Sequence, residues 1–387
     1  MKKVILLTVC TAAVLLSGCS DNELASVGDG IGTSTQSAIG FHVVGNQAET
    51  RATIIDASNI TSTDFNVYAF TNDGKAFMGT NDTEAGHNGI NISYKGVEGS
   101  KKWDYTTPSE LRYWPESTTP LNFYAVNPGT FKEDYMPQYG WKFNSNEQKI
   151  SYTCFDEFGT SKLANIDVMY AIAPNQTKAQ NNGTVKFIFK HILSQVVFKA
   201  KTQLENMEVE INEIKIHNSQ MGGTYTLPTE STTEGTWALT VPKSGSNWKT
   251  FTVVTGQTIK VNSTSKDISV NTPMLFVPQK LTAWQTNATT AKTQTEADAA
   301  HESYLGITCK IKQGDVYLFG DDSNYKTLYV PFGTTWEQGK RYTYTLIFGG
   351  GYDENGKPIL QPINFEAKAE DWTEATGNSN NDNNVNL

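Results

Sequence analysis

Apolar side chains recur at every second position in short runs along most of the chain, the period of a half-buried strand. Phe65-Asn66-Val67-Tyr68-Ala69-Phe70 is one such run, and Thr71-Asn72-Asp73-Gly74-Lys75 after it carries Asp-Gly, a hairpin pair. Leu121–Val126 leads into the turn Asn127-Pro128-Gly129, and Asp167–Ala171 leads to Pro174. Residues 184–190 set Val185, Phe187 and Phe189 against Lys186 and Lys190, which predicts a single strand. Residues 192–201 place Val196 and Phe198 on one face. Further strands are predicted at 208–216, 251–254, 274–277, 305–311, 328–330, 342–348 and 363–372. Only 293–303 (TQTEADAAHES) reads as helical.

Many short strands with Gly, Asn, Asp and Pro between them predict an all-β chain of the sandwich class. No fixed period recurs, so a propeller or solenoid is not expected. The polar run Asn175–Gly183 marks a boundary. The expectation is two tandem antiparallel β-sandwich domains, 39–180 and 181–376. A signal at 1–18 and a flexible tether at 19–38 precede them, and a low-complexity tail at 377–387 follows.

The first residues change the picture from fold to location. Lys2 and Lys3 precede an apolar run, Val4–Leu16, that is too short to span a bilayer comfortably. It ends in Leu16-Ser17-Gly18-Cys19, which has the form of a bacterial lipobox. Cys19 is then the acylated (palmitate-bearing) first residue of an outer-membrane lipoprotein, and the bilayer is a partner. Ser20 follows, then Asp21-Asn22-Glu23, a short acidic stretch suited to surface export. Loss of Lys2 and Lys3 takes the basic count from 31 to 29 against 40 acidic residues, so the net charge moves from −9 to −11. That balance argues against nucleic acid as a partner.

Chemistry is sparse. The five histidines form no H-E-x-x-H pair, and no G-x-S-x-G elbow occurs, so no enzyme, catalytic residue, cofactor or metal is expected. His191 and His217 sit within predicted strands, where a structural histidine is the plainer reading. Asp321-Asp322-Ser323-Asn324 lacks calcium-loop spacing and reads as a turn. Cys154 and Cys309 are read as two buried thiols, with a disulfide between them left open. Trp103, Trp141, Trp248 and Trp284 lie in polar contexts and are the tryptophans available for exposure.

One residue stands apart. Arg51 is the only lysine or arginine between Val4 and Gly74, and the chain has just two other arginines, Arg112 and Arg341. Either it is merely a basic residue in a loop, or it is an isolated cleavage point between Arg51 and Ala52.

Together these stretches resemble the fimbrillin family, the subunits of type V pili. The resemblance rests on LSGC at 16–19, Glu49-Thr50-Arg51-Ala52-Thr53, the runs at 65–70 and 121–125 with Tyr113-Trp114-Pro115, and Asp167–Ala171. It also rests on Phe189-Lys190-His191 leading into Val196-Val197-Phe198, Trp336–Tyr344, and Glu370-Asp371-Trp372. The resemblance implies transthyretin-like sandwiches, lipoprotein export, and a cut after Arg51 by an arginine-specific protease. It implies removal of a first strand carrying Ile39, Phe41 and Val43, and growth of a fibre by donor-strand addition that serves adhesion. Partners would be other fimbrial subunits and a surface receptor. Ile363, Phe365 and Ala367 are the donor strand or else the last strand of the second sandwich, and stalk, tip and anchor roles stay open. The alternative is a surface glycan-binding lipoprotein that uses an exposed tryptophan, Trp103 or Trp284.

Overall fold

The computed structural model describes residues 37–44, 60–79, 89–116, 119–129, 140–154, 166–239, 247–254, 258–269, 274–286, 292–348, 354–355 and 364–371. Up to the polar run at 175–183 the strands are β1 (Gly40–Val43), β2 (Asp64–Thr71), β3 (Ala76–Met78), β4 (Ile90–Lys95), β5 (Lys102–Tyr105), β6 (Leu121–Asn127), β7 (Gly140–Asn144), β8 (Lys149–Thr153) and β9 (Met169–Gln176). After it come β10 (Thr184–Phe187), β11 (Lys190–His191), β12 (Ser194–Thr202), β13 (Met207–Gln220), β14 (Gly222–Thr226), β15 (Thr236–Ala238), β16 (Trp248–Val254) and β17 (Ile259–Val261). The rest are β18 (Lys266–Asp267), β19 (Met274–Phe276), β20 (Lys280–Leu281), β21 (Tyr304–Gln313), β22 (Val316–Phe319), β23 (Lys326–Pro331), β24 (Thr334–Thr335), β25 (Lys340–Phe348) and β26 (Asn364–Asp371). One short helix, α1 (Gln294–Ala299), falls in the predicted helical run and starts with a capping box of Thr293 and Glu296.

The fold is all-β, as the alternation predicted. A seven-stranded sheet runs β11-β9-β6-β2-β4-β5 with β3 beside β2. Its strands carry large side chains on both faces. Phe65, Val67 and Ala69 of β2 lie in one core with Phe123, Ala125, Ile92 and Trp103. Tyr68 and Phe70 of the same strand lie in the other core with Val126, Tyr170, Trp141 and Tyr152. A strand buried on both sides needs apolar residues at consecutive positions, and Val67-Tyr68-Ala69-Phe70 supplies them.

The second face is covered by a four-stranded sheet, β15-β14-β8-β7. Two of its strands, β7 and β8, precede residue 180, and two, β14 and β15, follow it. The core they seal continues into the space between the five-stranded sheet β18-β12-β25-β26, with β19 beside β12, and the six-stranded sheet β16-β13-β21-β22, with β17 beside β13 and β23 beside β21. The expected division at 180/181 therefore does not coincide with the division of the cores. Residues 140–153 pack with the later half, and β10 packs with the earlier one. The described residues hold together as one compact unit.

Two details depart from the predicted strands. The run 184–190 is broken at Ile188, which is 62% exposed, because the chain leaves β10 in one sheet to enter β11 in another. The pairing is also not wholly antiparallel. β12 and β25 run parallel over eight positions from Gln195↔Arg341 to Thr202↔Phe348, and β1 runs parallel to β10.

The four-stranded sheet is tight at two glycines, of which Gly222 lies across the seam between the halves and Gly223 faces β15 within the later half. A Cβ on Gly222 would lie 2.3 Å from the Tyr152 carbonyl oxygen, and one on Gly223 would lie 2.4 Å from that of Ala238. Gly222→Ala should therefore cost about 1–3 kcal/mol, as forced overpacking does. Urea unfolding with hydrogen exchange checks this. Protection should fall together in β6 and β12, and a loss confined to β14 would show that the halves are not coupled through this seam.

Candidate assembly site

The strand predicted to be removable is well defined. Among the described strands β1 pairs with one only, in the register Gly40↔Thr184, Phe41↔Val185, His42↔Lys186 and Val43↔Phe187. Alternation sends Ile39 and Phe41 inward, 1% and 6% exposed, and leaves His42 in solvent. Val43 is half-buried and packs against the same core. The Phe41 ring tilts against Tyr105 at 5.6 Å and lies parallel to Phe187 at 6.1 Å. Burying each of these side chains contributes about 1.5–3 kcal/mol.

Polar contacts fix the start of the strand. The Ile39 amide donates to the Arg112 carbonyl at 2.9 Å, and the Trp114 amide donates to the Ser37 carbonyl at 3.0 Å. The Tyr105 hydroxyl donates to the Ile39 carbonyl at 3.1 Å, and burial raises the phenol well above its ordinary range. At the far end the Val44 amide donates to the Phe187 carbonyl at 2.9 Å. β10 is anchored separately, since the Trp114 indole donates to the Gly183 carbonyl at 2.8 Å. Among the described strands β10 has no ladder partner except β1. Loss of β1 would expose Val185, Phe187 and Tyr105 along a groove and leave a row of β10 backbone groups unpaired.

Arg51 and Ala52 lie outside the described residues, between β1 and β2, and Cys19 also lies outside them. Of the other predicted strand, Ile363 lies outside the described residues, while Phe365 and Ala367 stand opposite Leu346 and Tyr344. β26 pairs with β25 over eight positions and forms an edge of the five-stranded sheet. Ala367 packs partly on the larger core. An open cleft lies beside this strand, lined by Leu281, Thr334, Tyr342, Ala367 and Ala369. On the outward side the exposed Glu366 is 4.0 Å from the half-buried Lys201.

The remaining sequence candidates resolve into structural roles. Trp103 is 7%, Trp141 1% and Trp284 2% exposed, each within a core. Trp103 and Trp284 are thus corrected from sugar platforms to core residues: strand alternation turns the first inward, and the excursion containing α1 covers the second. Trp248 is half-buried and stacks on His301 at 4.8 Å. His191 is buried with its Nδ1 3.0 Å from Asp167. His217 stacks on Tyr304 at 4.4 Å, and burial lowers its pKa to about 4. Asp321 accepts from the Ser323 and Asn324 amides within its own turn. Among the described residues no three His, Cys, Asp or Glu side chains gather as metal ligands, and no helix is long and apolar enough to cross a membrane.

The two cysteines among the described residues, Cys154 and Cys309, are free and buried. Burial pushes the Cys154 thiol up to about 12 and raises Cys309 further. Neither should react with a disulfide reagent at pH 8 in the native protein, and both should react in denaturant. Rapid native labelling would overturn this assignment.

Sequence reasoning found the strand but not its receptor. Val185 and Phe187 carry the same alternation as β1 but were assigned to the other half. Tyr105 carries no local signal, and Trp114 stands out only within the Tyr113-Trp114-Pro115 stretch of the family resemblance. Phe41→Ala should destabilise the uncut chain by about 3–5 kcal/mol, as truncation of a buried phenylalanine does. The same substitution should leave a chain that begins at Ala52 unaffected, since the residue is then gone. Thermal unfolding of the uncut protein measures the first effect.

Comparison with known proteins bears on what such a strand is for. The fimbrillin-like family profile matches residues 50–372. The fimbrium subunit Fim1C of Phocaeicola vulgatus is 26% identical over 198 residues, covering 49% of this chain and 49% of the relative. The match thus spans about half the length of that curated relative. Among solved structures, a fimbrial protein from Bacteroides vulgatus ATCC 8482 superposes with a TM-score of 0.54 at 17% identity, over 87% of this chain and 99% of the other. At that identity the likeness concerns the fold alone.

Proposed function

The chain belongs to the fimbrillin-like family, and from that premise we propose that it is a structural, non-catalytic subunit of a cell-surface fimbria. It is exported as an outer-membrane lipoprotein acylated at Cys19. An arginine-specific protease cuts between Arg51 and Ala52, β1 departs, and a strand from a neighbouring subunit takes its place. The resulting fibre serves adhesion. Its partners are other fimbrial subunits.

The observation that carries this reading is the isolation of β1. It contributes Ile39 and Phe41 to a core yet pairs with a single strand among those described, and the segment after it contains the lone Arg51. The family match begins at residue 50, beside that arginine, and leaves β1 outside it. The glycan-binding alternative loses its two named residues, which are buried. Within the assembly, β26 is the candidate donor: it is an edge strand and carries Phe365 and Ala367 at alternate positions.

Intact-mass and N-terminal analysis of the native protein, from membranes and from sheared surface material, tests the proposal. A chain starting at Ala52 in the sheared fraction is expected. A chain found solely as acylated Cys19 with residues 20–51 intact would overturn the processing step.

A further inference from the structure

Residues 39–43 read Ile-Gly-Phe-His-Val, and residues 363–367 read Ile-Asn-Phe-Glu-Ala. The apolar positions coincide in order and spacing, so the two segments present one apolar face in the same chain direction. They differ at the two intervening positions, where β1 has Gly40 and His42. Those two face Thr184 and Lys186 of β10 in the register of the pair.

The contacts at these positions are specific. A Cβ on Gly40 would lie 3.2 Å from Thr184 Oγ1, close enough that the threonine must give by a few tenths of an ångström. His42 and Lys186 are both exposed. In its own subunit Glu366, itself exposed, leaves behind a 4.0 Å pairing with the half-buried Lys201.

Resting on the groove reading above, we infer that Thr184 and Lys186 select the strand that replaces β1, and that the segment beginning at Ile363 of a second copy of this chain satisfies them. In the β1 register Asn364 stands opposite Thr184, where an amide offers the hydroxyl a hydrogen bond that glycine does not. Glu366 stands opposite Lys186 and replaces a histidine–lysine neighbour with an opposite-charge pair. The apolar positions admit many strands, while the two polar positions discriminate among them. The chain is thereby its own partner. An exposed cross-strand charge pair shifts an equilibrium about two- to five-fold, so selection is by preference.

The test uses the mature chain as two co-expressed pieces, 20–51 and 52–387, which keep every described strand. Excess peptide 361–371 is added, and release of 20–51 is followed by mass. The wild-type peptide should displace it, Lys186→Glu should weaken displacement at least about three-fold, and the Glu366→Lys peptide should restore it on the Lys186→Glu protein. Equal displacement in all four combinations would overturn the selective role and leave the groove intact. Displacement by peptide 37–44 but not by 361–371 would overturn the self-partner. Displacement by neither would remove the groove reading, and this inference with it. If the pieces do not co-purify, refolding 52–387 with each peptide and scoring soluble protein makes the same comparisons.

Discussion

The fold depends on one pairing between distant parts of the chain, that of β8 with β14, in register from Gly222↔Thr153 to Thr226↔Lys149. The seven-stranded sheet has apolar residues on both faces and cannot stand with either face in water. Strands from both sides of residue 180 join to cover one of those faces. Tyr152 and Trp141 come from the earlier part and Tyr225 from the later, and the three share one core with Tyr68 and Tyr170 of the central sheet. Cys154 is held in the same seam, its amide donating to Met221 and its thiol to Leu275.

β1 stands outside this arrangement. It contributes to the smaller core, on the face of the central sheet away from the shared layer. Its hydrogen bonds go to β10, to 112–114 and to Tyr105, none of which belongs to the four-stranded sheet. Removing it therefore opens one core and leaves the seam between the halves closed. A strand that the rest of the fold required would be a poor choice for departure, and this one is peripheral in pairing while central to a single apolar pocket.

Local pattern revealed the elements and long-range pairing hid the architecture. Strands such as β2, β6 and β25 alternate plainly, and the run 293–303 reads as helical where the one α-helix among the described residues lies. The run 184–190 misled because alternation continues through Ile188 although the chain changes sheets there. Residues 140–153 carry an ordinary hairpin pattern, and nothing in them says which half they will cover. The site divided the same way. Ile39 and Phe41 declare themselves as an apolar strand ahead of an isolated arginine, but the surfaces that receive them come from residues 105, 114, 185 and 187. The tryptophans in polar stretches looked available, yet a large aromatic in a turn-rich segment is often what anchors that segment inward.

The shared four-stranded sheet also bears on how such chains can diversify. Gly222 leaves no room for a side chain between β8 and β14, so the strands on either side of 180 must match each other backbone to backbone there. A recombination event that joined the first half of one gene to the second half of a divergent one would bring together a β8 and a β14 never selected as neighbours. Inheritance of the two halves is thus linked by a steric fit.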